Sequence, residues 1–374
     1  MKYKIGFINP SYKRFYQQHR QEILKAIDRC YTNGDFILRK DVKIFEKKLA
    51  NFIGVKYAVG VNSGTDALRL SLEALNIGKG DEVITVSHTF IATIEEIVHV
   101  GATPVLIDVK EDGLMDTSQI EKFLTKQTKA IMPVHLSGAI CDMKEIKRIA
   151  HKYKLIIIED ACQSFGGKQN DIMSGAFGDT GCFSFIAPKL MGVGGDAGAI
   201  VTNRKDIYEK LLLLRNHWNI TQNALLGIQP KAPKIMGWGW NSRLDNIHAA
   251  VLNIKFRYIK QILKRRKGIA EQYIKGLKDL SIKLPSRKKG EVWQEFIIQI
   301  SNIWKFKKFM DKKRIELLIR DTTPNHLLPG LNLNHFSLPI TEKLATRQVR
   351  LPIYPQLTNQ EVDYIIKSIQ EFYD

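Results

Sequence analysis

Short apolar runs alternate with helical patterns through the middle of the chain, and this alternation most limits the possible folds. Clear apolar runs lie at Glu82–Val86, Thr103–Ile107 and Leu155–Ile158, with segments of helical periodicity between them. Continuous apolar strands are typical of a parallel sheet that is buried on both faces. The sequence therefore predicts an α/β fold with a mostly parallel sheet sandwiched by helices. Ligands bind such sheets at the carboxyl ends of the strands.

Three regions are predicted along the chain. Residues 1–40 form an N-terminal arm, residues 41–255 a large α/β domain, and residues 256–374 a smaller α+β C-terminal domain. A chain of 374 residues is long enough for one large core and a second, smaller one. The helical pattern from Leu244 to Tyr273 is expected to form one long helix that bridges the two domains.

A lysine between two strand patterns is the first candidate for chemistry. Cys182–Phe185 is a short aromatic strand pattern, Lys189 follows Pro188 in a turn, and a glycine-rich segment leads to a second apolar strand. The glycines allow a ligand to approach the backbone closely. A lysine presented in this way can form a Schiff base with a carbonyl. We therefore take pyridoxal phosphate (PLP) on Lys189 as the hypothesis.

Two ordinary interpretations compete with this hypothesis. The chain has 57 lysines and arginines, so a lysine beside a turn is usually only a solvated charge. The segment Gly192–Gly198 also resembles a dinucleotide-binding loop loosely. Such a loop opens a helix, whereas Ala199–Thr202 has a strand pattern, which excludes the dinucleotide interpretation. The lysine hypothesis needs support from other parts of the chain.

A second candidate is the segment Asn62–Thr65, which lies between a strand pattern and a helical pattern. Free backbone N–H groups at the start of a helix bind anions, and Gly64 would let a phosphate come close. The ordinary alternative is a plain helix cap by Ser63 or Thr65.

Further candidates lie at strand ends. Asp160 follows a strand and is placed to pair with a pyridine nitrogen, although a helix cap is equally typical there. Phe90 follows another strand end and is placed to stack on a ring, although such an aromatic is more often in the core. Gln163 and Ser184 are placed to contact the ring and the phosphate, or are ordinary polar residues. The order of these residues along the chain favours a PLP site.

The composition limits the possible binding partners and the cellular location of the protein. The net charge of +19 suggests an anionic substrate or nucleic acid, but the densest basic stretch, Lys264–Lys267, fits the solvated face of an amphipathic helix. We expect no nucleic-acid partner and no membrane span. The four scattered cysteines form no CxxC pair, and residues 1–7 show no signal-peptide pattern. A cytoplasmic location is therefore expected.

The motifs in this order resemble the DegT/DnrJ/EryC1/StrS aminotransferases, PLP enzymes that aminate keto sugars on nucleotide carriers. The similarity covers most of the chain. The segments that carry it are Asn62–Leu68, Gly80–Ile84, Thr89–Thr93, Pro133–Leu136, Ile158–Gln163, Phe183–Phe185 with Lys189, Arg215–His217, Trp240–Leu244 and Leu351–Pro355.

The resemblance implies a fold type I PLP-dependent transferase that acts as a homodimer with shared active sites. Its substrates would be a nucleotide-diphosphate keto sugar and, as amino donor, glutamate. It implies catalysis by Lys189, which would also carry the cofactor. The other cofactor-binding residues that it implies are Gly64, Thr65 and Ser184 at the phosphate, Phe90, Asp160 and Gln163 at the ring, and Asn241 reaching the phosphate bound by the other subunit.

Departures from the family pattern leave other outcomes open. Leu190 stands where asparagine commonly follows the lysine, His88 replaces a common aromatic residue, and Leu38-Arg39 replaces a glycine-containing turn. The alternatives are a PLP-dependent sugar dehydratase, a cyclitol aminotransferase of the same fold, or a non-catalytic regulatory relative. Some relatives carry histidine in place of the lysine and dehydrate sugars, so the presence of Lys189 favours transamination.

Overall fold

The computed structural model describes residues 3–7, 9–219, 235, 237–286 and 289–374. Most of the loop predicted between Trp218 and Asn241 lies outside the described residues. The helices are α1 (Asn9–Asn33), α2 (Lys40–Ile53), α3 (Gly64–Ala74), α4 (Ala92–His99), α5 (Met143–Tyr153), α6 (Lys205–Leu214), α7 (Asn246–Lys255), α8 (Ile259–Leu277), α9 (Ile303–Lys312), α10 (Pro339–Ala345) and α11 (Asn359–Tyr373). The strands are β1 (Tyr57–Val61), β2 (Glu82–Val86), β3 (Thr103–Ile107), β4 (Thr128–Ile131), β5 (Ile156–Asp160), β6 (Lys168–Gln169), β7 (Ile172–Met173), β8 (Thr180–Ser184), β9 (Gly198–Thr202), β10 (Phe296–Gln299) and β11 (Gln348–Leu351).

The main sheet, within the described ranges, has seven strands in the order β1-β9-β8-β5-β4-β2-β3. The neighbours from β8 through β5, β4 and β2 to β3 pair in parallel. Strand β9 runs antiparallel to both β1 and β8. The predicted mostly parallel sheet is confirmed, and its one reversed strand follows the lysine turn.

Both faces of this sheet are covered by helices. Cys182 and Phe183 are neighbours on β8, so their side chains point to opposite faces. Phe183 packs into an apolar core that includes Phe45 of α2 and Leu252 of α7, whereas Cys182 packs into a core that includes Leu68 of α3 and Leu211 of α6. The strand is apolar at successive positions because each face meets a helix layer.

A smaller α+β unit contains β10 and β11, which pair antiparallel, together with α9 and α11. The second half of α8 contributes Ile269, Tyr273 and Leu277 to its core, whereas Ile259 and Ile262 of the first half pack into the core beside β8. Helix α8 therefore belongs to both cores.

The long helix predicted from Leu244 to Tyr273 is interrupted. Helix α7 ends at Lys255, the residues Phe256–Tyr258 form a 3-10 turn, and α8 begins at Ile259. The ring of Phe256 packs against Phe45, Phe52 and Phe165 at centroid distances between 5.7 and 5.9 Å. Tertiary packing of this aromatic side chain accompanies the break, which the helical periodicity did not reveal. Among the described residues, no helix is both long and apolar enough to cross a bilayer.

Candidate active site

The turn before α3 leaves two backbone N–H groups without partners. Ser63 caps the helix, since its Oγ accepts from the N–H of Asp66 at 3.0 Å and its carbonyl accepts from Ala67 N at 3.0 Å. The N–H groups of Gly64 and Thr65 make no hydrogen bond to any described residue. These two groups, at the positive end of the helix dipole, form a site for an anion.

Gly64 brings this turn against the end of β8. A Cβ atom added at Gly64 would lie 2.7 Å from Cβ of Ser184 and 3.0 Å from Sγ of Cys162. The close approach therefore requires glycine. Ser242 fastens the turn from the other side, because its Oγ donates to Oδ2 of Asp66 at 2.7 Å. The structure thus brings together the predicted phosphate residues Gly64, Thr65 and Ser184.

Lys189 lies in a tight loop between β8 and β9. Its N–H donates to the carbonyl of Ile186 at 2.9 Å, and its carbonyl accepts from Gly192 N at 2.8 Å. A Cβ atom added at Gly192 would lie 2.2 Å from the carbonyl oxygen of Ala187, so the loop cannot close around a larger residue. The glycine-rich segment serves to fold the chain back behind the lysine.

The amine of Lys189 is free and poorly hydrated. Burial lowers the pKa of Lys189, and the nearby negative charges of Glu295 and Asp160 offset part of this effect. Within the part of the chain that the structure describes, Nζ makes no hydrogen bond or ion pair. A lowered pKa increases the fraction of neutral amine, the form that attacks a carbonyl or takes a proton.

Asp160 is buried where β5 ends, and hydrogen bonds fix its carboxylate. Oδ2 accepts from Oγ1 of Thr93 at 2.8 Å, and Oδ1 accepts from the N–H of Cys162 at 3.2 Å. Oγ1 of Thr93 also lies 2.7 Å from Oγ1 of Thr89, next to Phe90. The ends of β5 and β2 therefore meet at one site, as expected for parallel strands.

One cavity of about 160 Å³ joins Lys189 to two other predicted residues, Phe90 and Gln163. The ring of Phe90 is 65% exposed, so it is not a core residue, and it is free to stack on a ligand. Gln163 is buried, and its Oε1 accepts from the N–H of Ser137 at 3.0 Å. Arg320 and Arg350 also line this cavity.

Among the predicted residues, Gly64, Thr65, Asp160 and Ser184 do not line this cavity, and neither does Asn241. It is exposed and pairs with Asn216 in a short antiparallel bridge. Its assignment to the cofactor of another subunit stays a prediction.

Residues beyond the predicted set also support the site. Oε1 of Gln294 accepts from the N–H of Leu190 at 3.0 Å, and its Nε2 donates to the carbonyl of Pro188 at 3.0 Å. The amide of Gln294 therefore holds the peptides on both sides of Lys189. Thr93 could have been predicted from the sequence, because it lies in the Thr89–Thr93 motif. Gln294 lies in none of the motifs, so the sequence did not indicate its role.

These residues fit pyridoxal phosphate. The N–H groups of Gly64 and Thr65 suit a phosphate, and the amine of Lys189, whose pKa is lowered by burial, suits an aldehyde. The fixed carboxylate of Asp160 suits a protonated ring nitrogen. The fold and the site thus define a PLP-dependent transferase with a mostly parallel α/β core.

The chain belongs to the DegT/DnrJ/EryC1/StrS aminotransferase family, whose model matches residues 17–370. It is 37% identical to the dTDP-3-amino-3,6-dideoxy-alpha-D-galactopyranose transaminase of Aneurinibacillus thermoaerophilus over 95% of this chain and 96% of that one. It is equally similar, 37%, to the UDP-N-acetyl-3-dehydro-alpha-D-glucosamine 3-aminotransferase of Acidithiobacillus ferrooxidans, over 94% of each chain.

A solved structure is also similar to this chain over nearly its whole length. DesV of S. venezuelae, in complex with a ketimine intermediate, matches with a TM-score of 0.90 at 34% identity, over 97% of each chain. The fold class and the family predicted from the sequence are confirmed. The chain is an aminotransferase, and its cofactor is pyridoxal phosphate.

Proposed function

We propose that the chain is a cytoplasmic, homodimeric transaminase that moves an amino group from glutamate to a keto group of a nucleotide-diphosphate-linked deoxy sugar. The observation that carries this proposal is the amine of Lys189, which makes no hydrogen bond to the described residues and lies in one cavity with Phe90 and Gln163. The family and the two sugar transaminases at 37% identity support the substrate class.

Each residue of the site has a proposed role. Gly64, Thr65 and Ser184 hold the phosphate of the cofactor. Asp160 pairs with the ring nitrogen, and the hydrogen bonds from Thr93 and Cys162 keep its carboxylate in place. The remaining ring contacts are stacking by Phe90 and a hydrogen bond from Gln163 at the ring hydroxyl.

Lys189 is the proposed catalytic base and acid. When bound, the cofactor supplies an electron sink that makes a proton on the adjoining substrate carbon removable. Nζ of Lys189 takes that proton from the α-carbon of glutamate, since the neutral amine is favoured by burial. In the second half-reaction Nζ gives a proton to the sugar carbon that receives the nitrogen. The loop that Gln294 holds keeps Nζ on one side of this carbon.

The sugar ketone is proposed to be at carbon 3. The two relatives named above carry different nucleotides, dTDP and UDP, yet both names place the reacting nitrogen at position 3. A second cavity of about 420 Å³ also reaches Lys189 and contains Lys255 and Arg266. Arg266 is buried and Lys255 is half-buried. Both contact backbone carbonyls and have no carboxylate partner among the described residues, which suits a diphosphate.

The homodimer is proposed from exposed residues on one segment. Trp238 is 96% exposed, and Asn241 is exposed three residues later. An indole is rarely left in water, so we propose that this segment packs on a second copy of the chain and that Asn241 reaches the phosphate bound there. We also propose the division into an arm (residues 1–40), a large domain (41–255) and a small domain (256–374), with α8 shared between the two cores.

The test is the visible absorption spectrum of the purified protein with PLP, before and after glutamate is added. The wild-type protein should show a yellow band that glutamate bleaches, and a keto sugar on dTDP or UDP should restore it with formation of the 3-amino sugar. Lys189→Ala should lose the covalent link to the cofactor, whereas Lys205→Ala, an exposed change on α6, should behave as wild type. A protein that takes up no PLP would contradict the proposal, and dehydrated sugar as product would change the reaction class.

A further inference from the structure

Two arginines and one buried carboxylate form a cluster at the cavity of Lys189. Nε of Arg350 donates to Oε2 of Glu295 at 2.9 Å, and Nη2 of Arg320 donates to the other oxygen of the same carboxylate. Oγ of Ser137 also donates to Oε2 of Glu295, at 3.1 Å. Burial alone would raise the pKa of Glu295, but Arg350 and Arg320 lower it to about 2. The carboxylate is therefore ionised and fully hydrogen-bonded.

One donor of this cluster has no partner. Arg350 lies on β11 of the smaller unit, its side chain is only 3% exposed, and its Nη2 contacts Oδ2 of Asp321 at 3.3 Å. Its Nη1 is buried and makes no hydrogen bond within the described residues. A buried N–H group without an acceptor is costly, and the cost is recovered when a ligand oxygen meets it. Arg350 lines the cavity that contains Lys189, so such a ligand would lie beside the lysine, where the substrate meets the cofactor.

The cluster is close enough to Lys189 to affect it. The charges of Glu295 and Arg320 both act on the Lys189 amine. Besides Lys189, the cations that line this cavity in the described chain are Arg320 and Arg350. The side chain of Arg320 is 40% exposed, so it can turn toward a ligand without leaving a buried gap. Both arginines therefore face the cavity in which the lysine amine lies.

The groups bonded to the reacting carbon differ between the two substrates, and this difference indicates which substrate the arginines bind. In the first half-reaction it is the α-carbon of the amino donor, which is bonded directly to a carboxylate. In the second half-reaction it is a ring carbon of the sugar, whose neighbours carry hydroxyl or amide groups and no carboxylate. A carboxylate requires charge-assisted hydrogen bonds when it leaves water, and arginine provides them in a bidentate geometry.

We propose that Arg350, with Arg320 beside it, binds the carboxylate on the reacting carbon of the amino donor. This inference rests on the proposed transaminase function for the identity of the donor. Glu295 has the task of orienting both guanidinium groups while leaving Nη1 of Arg350 for the ligand. The site selects an α-amino acid over a simple amine. In the sugar half-reaction the groups beside the ketone are uncharged, so the two arginines bind them only weakly.

The test measures binding by calorimetry on the holoenzyme with two probes, glutarate and its uncharged diamide, glutaramide. The wild-type protein should bind glutarate and discriminate against glutaramide. Arg350→Lys keeps a charge for Glu295 but loses the planar fork, and it should weaken glutarate binding about tenfold or more. Arg320→Gln, a change at a partly exposed position, should weaken it by a smaller factor. The control is Arg148→Lys on α5, which is exposed and pairs with Glu121 and Glu145 rather than with the cluster.

Binding of the nucleotide-linked amino sugar separates the two possible ligands. It should stay within about twofold of wild type in Arg350→Lys. Loss of amino-sugar binding with unchanged glutarate binding would overturn the proposal, as would unchanged glutarate binding in both arginine variants. A holoenzyme that binds glutarate through Arg350 but forms no amino sugar from any tested ketone would support the carboxylate site and contradict the proposed function.

Discussion

The side-chain amide of Gln294 accepts a hydrogen bond from the backbone N–H of Leu190 at 3.0 Å. The same amide donates to the carbonyl of Pro188, so it spans the residue between them, Lys189. Arg266 holds the backbone of Gln294 in turn, since its Nη1 donates to the carbonyl oxygens of Trp293 and Gln294. The smaller unit of the molecule therefore contributes directly to the position of the lysine loop.

We expect Gln294→Met to loosen this loop. The change keeps much of the side-chain volume but leaves the buried N–H of Leu190 and the carbonyl of Pro188 without partners. The free energy of unfolding should fall by about 1–3 kcal/mol, measured by urea denaturation, and PLP should dissociate faster. Gln17→Met on the exposed face of α1 is the control and should change neither quantity. Equal stability and cofactor retention in both variants would remove Gln294 from the positioning role.

Gly64→Ala should displace the phosphate turn. The added Cβ would lie 2.7 Å from Cβ of Ser184, which is closer than carbon atoms approach in proteins. The turn must move, so the affinity for PLP should fall, and we expect at least a tenfold rise in its dissociation constant by fluorescence titration of the apoprotein. Gly268→Ala tests whether alanine itself is the cause. Gly268 lies inside α8 with open space around it, and alanine there should stabilise the helix by about 1 kcal/mol without changing PLP affinity.

Asp160→Asn should slow the reaction with glutamate about a hundredfold or more. The amide has nearly the same shape as the carboxylate but cannot supply the negative charge that favours a protonated ring nitrogen. The rate at which glutamate bleaches the yellow band, followed by stopped flow, reports the change. Thr93→Val removes the hydrogen bond of 2.8 Å to Oδ2 but keeps the charge, so it should slow the reaction about tenfold. A rate for Asp160→Asn close to that of wild type would exclude the assigned role.

The pKa of Lys189 predicts a pH profile for cofactor attachment. Burial disfavours the charged ammonium and lowers the pKa, so the neutral amine should be half-populated below the ordinary value of 10.5. The rate at which the apoprotein links PLP, followed by absorbance, should therefore rise with pH to a midpoint below 10.5.

Glu295→Gln should shift this midpoint further down. The negative charge of Glu295 favours the ammonium form of Lys189, and its removal favours the neutral amine. Glu145→Gln, a change at a half-exposed position on α5, should leave the midpoint unchanged. A midpoint at or above 10.5 in the wild type, or an upward shift in Glu295→Gln, would contradict the cause assigned to the lowered pKa.

Several site residues could be predicted because parallel strands end at a common edge. Asp160 is the last residue of β5 and Phe90 lies just beyond β2, so their proximity follows from the alternation of strands and helices alone. Gly64 was predictable for a similar reason, since the first turn of a helix after a strand is a recurrent anion site. The assignment of Lys189 needed the order of all these motifs, because a lone lysine beside a turn carries little information.

Gln294, Arg320 and Arg350 could not be predicted from the sequence. They belong to the smaller unit, and no strand-end rule states which of its residues face the lysine loop. Gln294 and Leu190 are 104 positions apart in the sequence, and their contact depends on how the two cores dock along α8. The break between α7 and α8 was missed for a related reason, since tertiary packing of Phe256 overrides local periodicity there.

The reversed strand β9 has a consequence for the order in which the site assembles. Strands β8 and β9 form an antiparallel pair that closes at Ser184 and Gly198, so Lys189 lies in the connection of a hairpin. Closing a short connection costs less chain entropy than bringing together segments a hundred residues apart. The loop that carries Lys189 is therefore encoded by local contacts, whereas its anchoring by Gln294 and the part of the site that includes Arg350 form only when the C-terminal third of the chain has docked.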